Sequence, residues 1–79
     1  MTPEQCIAAR RLLEWSQADL EREACVALVD IMRFELNFSD ISEDIIASIE
    51  TTFEYAGINF NNSDEIEWAG TKIRIVRHE

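Results

Sequence analysis

At 79 residues, with two glycines and one proline, the sequence has room for one compact domain and little material for a disordered linker. Sixteen acidic residues against seven basic ones give a net charge of −9, so DNA meets an unfavourable field whereas a basic protein surface is attracted. No stretch approaches the roughly 20 apolar residues of a membrane span, and no basic leader precedes an apolar run, which predicts a soluble, cytoplasmic protein.

The charge is unevenly distributed along the chain. Between Phe34 and Thr71 there is no lysine or arginine, yet nine acidic residues occur there. One region of the surface is therefore expected to be strongly anionic. Such a region either maintains solubility as a solvated face or attracts a basic partner.

The first helix is predicted over residues 3–14. Thr2 can cap it, Pro3 suits the first helical position, and Gln5 can complete a capping box. Its core-facing stripe consists of apolar residues at helical spacing, namely Cys6, Ala9, Leu12 and Leu13.

A second helix is predicted over residues 16–24, because Ser16 and Asp19 form a second capping box and Trp15 can pack on Leu20.

A third helix is predicted over residues 27–37. It carries two apolar stripes, Ala27, Ile31 and Phe34 on one and Leu28, Met32 and Leu36 on the other. One buried side needs one stripe, so the excess indicates deep burial or a face covered by a partner. Since no helix breaker intervenes, one uninterrupted helix over residues 16–37 is the alternative.

The fourth helix is predicted over residues 42–56. Asp40 and Ser42 offer overlapping caps, and Gly57 is a typical residue for the helix end. Its buried stripe is Ile45, Ile49 and Phe53. The acidic residues of its first turn, Glu43 and Asp44, suit the positive end of the helix dipole.

Beyond Gly57 the apolar period changes to two, which predicts strands over residues 58–61, 65–68 and 71–76. Residues 61–64 form a turn cluster, and Ala69-Gly70 is expected to turn a hairpin that sets Glu65 and Glu67 against Lys72 and Arg74. The expected fold class is mainly α, a four-helix domain with a C-terminal β-hairpin or short antiparallel sheet.

The remaining residue types give little sign of chemistry. Cys6 and Cys25 are expected to be buried reduced thiols, although a disulfide between them stays open, and His78 is expected to be solvated. The aromatic residues fall on apolar stripes and are expected in the core, namely Trp15, Trp68, Phe34, Phe53 and Phe60. No carboxylate pairs with a nucleophile, a phosphate-binding loop or a metal-ligand spacing. We therefore expect no enzyme, no metal and no cofactor.

A family resemblance lies in residues 8–20. This run resembles the first two helices of lambda-repressor-like helix-turn-helix regulators of the Cro/CI or XRE type, and its segment Trp-Ser-Gln-Ala-Asp-Leu is the most specific part. The start Met-Thr-Pro-Glu-Gln and the segment of residues 55–60 are similar to those of a bacterial subgroup. The resemblance spans nearly the whole chain, which is an acidic and divergent version of the pattern.

The resemblance implies a four-helix helix-turn-helix fold and sequence-specific DNA binding, usually by dimers. It implies that Gln17 lies near a phosphate and that the third helix enters the major groove with Ala27, Leu28, Val29 and Arg33 toward the bases. Of these four, Arg33 alone can form a hydrogen bond to a base edge. The family commonly has glycine where this chain has Glu14 and Cys25, so an altered turn is expected.

Two functions follow. In the first, the protein binds and sequesters another transcription regulator, by analogy with the anti-activators and anti-repressors of phages and mobile elements, through Leu28, Val29, Met32 and Leu36. In the second, it is a dimeric DNA-binding repressor that uses Gln17, Ala27, Leu28, Arg33, Arg10 and Arg11. The same apolar patch, or the strand at residues 71–76, also suits a homodimer seam.

Overall fold

The computed structural model describes residues 1–75. Along this range four helices precede three strands: α1 (Pro3–Leu12), α2 (Gln17–Ala24), α3 (Leu28–Glu35), α4 (Glu43–Tyr55), β1 (Ile58–Asn62), β2 (Glu65–Trp68) and β3 (Thr71–Arg74). The C-terminal antiparallel sheet is as predicted. Because it has three strands, the domain is a mixed α/β fold and not the mainly α fold that was expected. The predicted strand end at Val76 and the predicted solvation of His78 lie outside the described residues. None of the helices in this range has the length and apolar character needed to cross a membrane.

The helix starts follow the capping residues. In α1 the Thr2 hydroxyl accepts from the Gln5 amide at 3.1 Å, and the Gln5 side chain accepts from the Thr2 amide at 2.8 Å. The same reciprocal pair opens α2, where the Ser16–Asp19 distances are 3.0 and 2.9 Å. Ser42 caps α4. Each side chain satisfies an amide that the helix leaves unpaired, and all three caps were predicted.

A break separates α2 from α3, so the alternative of one helix over residues 16–37 is wrong. Cys25 closes α2 in the left-handed conformation, at φ 56° and ψ 41°, and its amide donates to the Glu21 carbonyl at 3.0 Å. Glu14, between α1 and α2, is also left-handed at φ 57°. Two side-chain-bearing residues therefore occupy turn conformations that glycine adopts at lower cost.

The core lies between the four helices and one face of the sheet. Its buried members come from every helix and from β1 and β2: Cys6, Ala9, Leu20, Ile31, Phe34, Ile49, Phe53, Ile58 and Ile66. Phe53 connects the layers, because Trp15 stacks on it at 5.9 Å and Phe60 meets it edge-on at 6.2 Å. The predicted aromatic residues are therefore part of the core or packed against it. Ala27, which shares a predicted stripe with Ile31 and Phe34, is exposed and is the N-cap of α3.

The sheet has the strand order β1-β2-β3, with the predicted register of Glu65 opposite Arg74 and Glu67 opposite Lys72. Its tight turn has positive φ at both central residues, 53° at Ala69 and 79° at Gly70, as type I′ hairpins require. Gln5 ties the sheet to α1, since its buried amide nitrogen donates to the carbonyls of Asn62 at 2.5 Å and Glu65 at 3.2 Å.

The two thiols are in different environments. Cys6 is fully buried, as predicted, whereas Cys25 is exposed, so the expectation that both are buried is wrong for Cys25. Both thiols are free, and the disulfide between them is absent. The reason lies in the backbone, because the left-handed turn at Cys25 leaves its side chain outside the core.

Candidate functional site: the outer surface of helix α3

Three large apolar side chains project from α3 into solvent. Val29, Met32 and Leu36 are 57%, 43% and 71% exposed. Their spacing of three and four residues places them on one side of the helix, opposite the buried Ile31 and Phe34. We call Val29, Met32 and Leu36 the outer α3 surface. Ile31 and Phe34 of the first predicted stripe are therefore core, whereas Met32 and Leu36 of the second are exposed together with Val29.

Leu28 and Phe38 border this surface. Leu28, predicted as a partner-binding residue, is half-buried at the start of α3. Phe38 is 52% exposed and lies just beyond the helix end, where its amide donates to the Arg33 carbonyl at 3.0 Å. Asn37 is in the left-handed conformation at φ 72°, which turns the chain back at the end of α3. Its amide donates to the Phe34 carbonyl, and the two hydrogen bonds together form a Schellman motif. The apolar surface thus continues past the end of the helix.

Arg33, the predicted base-reading residue, is engaged by neighbours within the chain. Its guanidinium lies 5.1 Å from the centroid of the Phe38 ring and donates to the Asp40 carboxylate. The hydrogen bond from Arg33 holds the pKa of Asp40 below its ordinary value. A nearby carboxylate therefore offsets the positive charge of this side chain.

Arg10 is also paired within the fold. Its Nε and Nη2 atoms each donate to a different oxygen of Glu35 at 2.7 Å, in a bidentate ion pair. The Arg10 and Glu35 side chains are only 15% and 5% exposed. Gln17 donates to Glu35 at 2.9 Å, and the Cys6 thiol donates to it at 3.2 Å. Arg10 and Gln17, both predicted to approach DNA, thus join α1, α2 and α3 through one carboxylate.

The proton equilibria of this cluster follow from burial and hydrogen bonding. Burial alone would raise the pKa of Glu35, but donors from Arg10, Gln17 and Cys6 bring it below its ordinary value. Burial, followed by the charge and hydrogen bond of Glu35, raises the pKa of Cys6. The carboxylate is therefore ionised and the thiol is protonated at neutral pH, as an unreactive structural cluster requires.

The side chain of Glu21, a residue of α2, lies at the N-terminus of α3. The sequence did not predict this contact. One carboxylate oxygen of Glu21 accepts from the Leu28 amide at 3.0 Å, while the N-cap residue Ala27 provides no side-chain acceptor. The sequence does contain a signal, because an apolar N-cap requires an acceptor from elsewhere. A carboxylate therefore occupies the positive end of α3, a position that favours an acidic group.

Arg11 is the remaining base of the predicted DNA-contact set. It is exposed, and no ion pair within residues 1–75 involves it. Leu28 and Ala27 supply no groove-reading hydrogen bond. Nor does the part of the chain described here contain a group of three or more histidine, cysteine, aspartate or glutamate side chains placed to hold a metal ion.

The sequence matches no protein-family model, and a search of curated proteins finds no significant match. The resemblance of residues 8–20 to lambda-repressor-like regulators therefore stays a prediction from the residues.

Proposed function

We propose that this chain is a small, cytoplasmic, non-enzymatic helix-turn-helix regulatory protein that binds another transcription regulator and sequesters it. In this proposal α2, the turn at Cys25 and α3 form the helix-turn-helix unit, and the outer α3 surface makes the contact. The single observation that carries the proposal is the exposure of Val29, Met32 and Leu36 on the side of α3 that faces away from the core.

Apolar burial supplies the affinity. Complete burial of a side chain of this size contributes about 1.5–3 kcal/mol relative to full exposure, and these three are already partly covered. A few clustered, fully desolvated side chains near the centre of an interface typically carry most of its binding energy. Phe38 extends the apolar area at one end. A partner with a complementary apolar surface thus gains affinity from a few adjacent contacts.

Charge selects the class of partner. With net charge −9, the chain attracts basic surfaces and repels other acidic ones, including further copies of itself. A DNA-binding regulator has a basic surface by necessity. The acidic chain is suited to associate quickly with such a protein and to compete with its DNA.

The placement of the polar groups counts against DNA as the ligand of α3. Arg10 and Gln17 donate to Glu35, and Arg33 donates to Asp40. Glu21 places a carboxylate at the helix N-terminus. DNA contacts by Arg10, Gln17 and Arg33 would require these hydrogen bonds to break, so the dimeric repressor is the less favoured function.

The test is to measure binding of the purified chain to the regulators encoded nearest to its own gene, by calorimetry. Met32→Ser and Leu36→Ser are expected to weaken binding by about tenfold or more each, since they remove exposed apolar anchors without disturbing the core. Ala47→Ser, on the exposed side of α4, is the matched control and is expected to leave the affinity unchanged.

Three results would contradict the proposal. The first is unchanged affinity in the Leu36→Ser variant. The second is saturable, sequence-specific binding of the chain to its own upstream DNA, which would support the repressor instead. The third is a homodimer that Met32→Ser dissociates, because the outer α3 surface would then be covered by a second copy.

A further inference from the structure

A second surface feature lies away from α3. A shallow cleft of about 320 Å³ opens beside α2 and the C-terminal turn of α4, lined by Trp15, Glu23, Thr52, Tyr55 and Ala56. The indole of Trp15 is held in place by stacking on Phe53, with the two rings inclined by 24°. Tyr55 is 90% exposed. One fixed and one free aromatic ring therefore border the same space.

Two polar side chains of this cleft, Thr52 and Glu23, offer oxygen atoms that accept hydrogen bonds. The Thr52 hydroxyl donates to the Ser48 carbonyl at 2.8 Å, which leaves its oxygen lone pairs available. Glu23 adds a carboxylate, and none of the lining residues is a lysine, arginine or histidine. Aromatic faces together with acceptors favour a cation and disfavour an anion.

The backbone and the nearest base reinforce this preference. Tyr55 and Ala56 lie at the C-terminal end of α4, the negative end of the helix dipole, and its last turn contains no basic residue. Arg22 donates to Asp19 at 2.9 Å, whereas its Nε lies 3.9 Å from Glu23, beyond hydrogen-bond distance. The Glu23 carboxylate thus has capacity for a second, closer cation.

We propose that this cleft binds the guanidinium group of an arginine side chain presented by a protein partner. The planar guanidinium stacks on the rings of Trp15 and Tyr55 and pairs with Glu23. The cleft volume is at the lower limit of small-molecule pockets, which suits one side chain. None of its residues belongs to the outer α3 surface, so the site can be tested separately from the regulatory function.

The probe is N-acetylarginine amide, titrated into the 15N-labelled chain of 79 residues and followed by NMR. The indole N–H signal of Trp15 is expected to shift saturably, with millimolar affinity, while that of Trp68 serves as the internal reference. N-acetylcitrulline amide is a neutral analogue of nearly the same shape. It is expected to bind at least about fivefold more weakly, because it lacks the positive charge.

Variants localise the site. Glu23→Gln and Tyr55→Ala are each expected to weaken arginine binding about three- to fivefold, and neither side chain is part of the core. Glu54→Gln makes the same charge change on α4 outside the cleft and is expected to leave the affinity unchanged. The absence of a saturable shift, equal binding of citrulline, or equal losses in Glu23→Gln and Glu54→Gln would each overturn the proposal.

Discussion

Glu35 shows how one residue acquires a role that its position in the sequence does not reveal. By sequence it belongs to an acidic region expected to repel phosphate, whereas in the fold its carboxylate accepts from Arg10, Gln17 and Cys6. Arg10 lies 25 positions earlier in the chain, and no local periodicity reports such a contact. The apolar pattern predicts that α1 and α3 share a core, and the ion pair follows only from their packing.

Replacing Glu35 with glutamine is expected to lower the free energy of unfolding by about 2–3 kcal/mol, because Arg10 keeps its charge in a largely buried position without an ionised partner. Urea denaturation followed by circular dichroism measures this change. Glu54→Gln, at an exposed position, is the control and should change stability by less than about 0.5 kcal/mol. A loss no larger than the control's would show that the cluster contributes little.

The same variant gives a pH signature. The pKa of folded Glu35 lies below the ordinary glutamate value of 4.5. The stabilisation from its charge is therefore fully present above that value and is lost as the pH falls through the lowered, folded pKa. The stability gap between wild type and Glu35→Gln is expected to be constant near neutrality and to narrow below about pH 4.5. A gap that widens on acidification would contradict this sign.

Cys25 illustrates a backbone requirement that residue preference did not indicate. The family resemblance identified positions 14 and 25 as turn sites, and both residues are indeed left-handed, although cysteine and glutamate disfavour that region.

Cys25→Gly is expected to raise the free energy of unfolding by about 0.5–1 kcal/mol, because the relief of strain is partly offset by the greater freedom of glycine in the unfolded chain. Cys25→Ala keeps the strain and should give no gain in the same urea titration. Equal stability of the two variants would refute the explanation.

At the scale of elements, α3 shows what periodicity can and cannot predict. The sequence indicates an excess of apolar residues on this helix, and the structure buries Ile31 and Phe34 while leaving Met32 and Leu36 exposed. Which stripe faces the core depends on where the turn at Cys25 ends and how α3 meets α1 and α2. Those are tertiary properties, so the sequence predicted the two stripes but not their assignment.

The two stripes are expected to respond differently to truncation. Ile31→Ala should lower the free energy of unfolding by about 2–4 kcal/mol, because it opens a cavity beneath α3. Met32→Ala should cost less than about 1 kcal/mol, because Met32 is 43% exposed and leaves no cavity. Chemical denaturation of both variants under identical conditions makes the comparison. Similar losses at the two positions would mean that the outer α3 surface is buried in solution.

Helix caps and hairpin turns were the most predictable elements, because their signals are local. Thr2, Ser16 and Ser42 cap helices as their sequence positions indicate, and Ala69-Gly70 forms the predicted turn. The Glu21 contact with α3 was harder to predict from the sequence, since it spans seven residues and the break between two helices. Local chemistry thus predicts where elements start, and the contacts between elements decide the character of the site.

For the whole molecule, charge is the property that the sequence reports most completely. The net charge of −9 needs no structure, yet its effect depends on which bases remain unpaired. The fold pairs Arg10, Arg22 and Arg33 with carboxylates, which leaves little basic surface near α3. The sequence therefore predicts the repulsion of polyanions, while the identity of the partner depends on surface shape that composition does not contain.

The most direct test of the central proposal is an NMR titration of the 15N-labelled chain at physiological salt, once with duplex DNA from upstream of its own gene and once with the neighbouring regulator. Binding of the regulator is expected to shift the amide signals of Val29, Met32 and Leu36, whereas addition of the DNA is expected to leave their chemical shifts unchanged. Saturable shifts of these amides with DNA, together with no response to the regulator, would contradict the account.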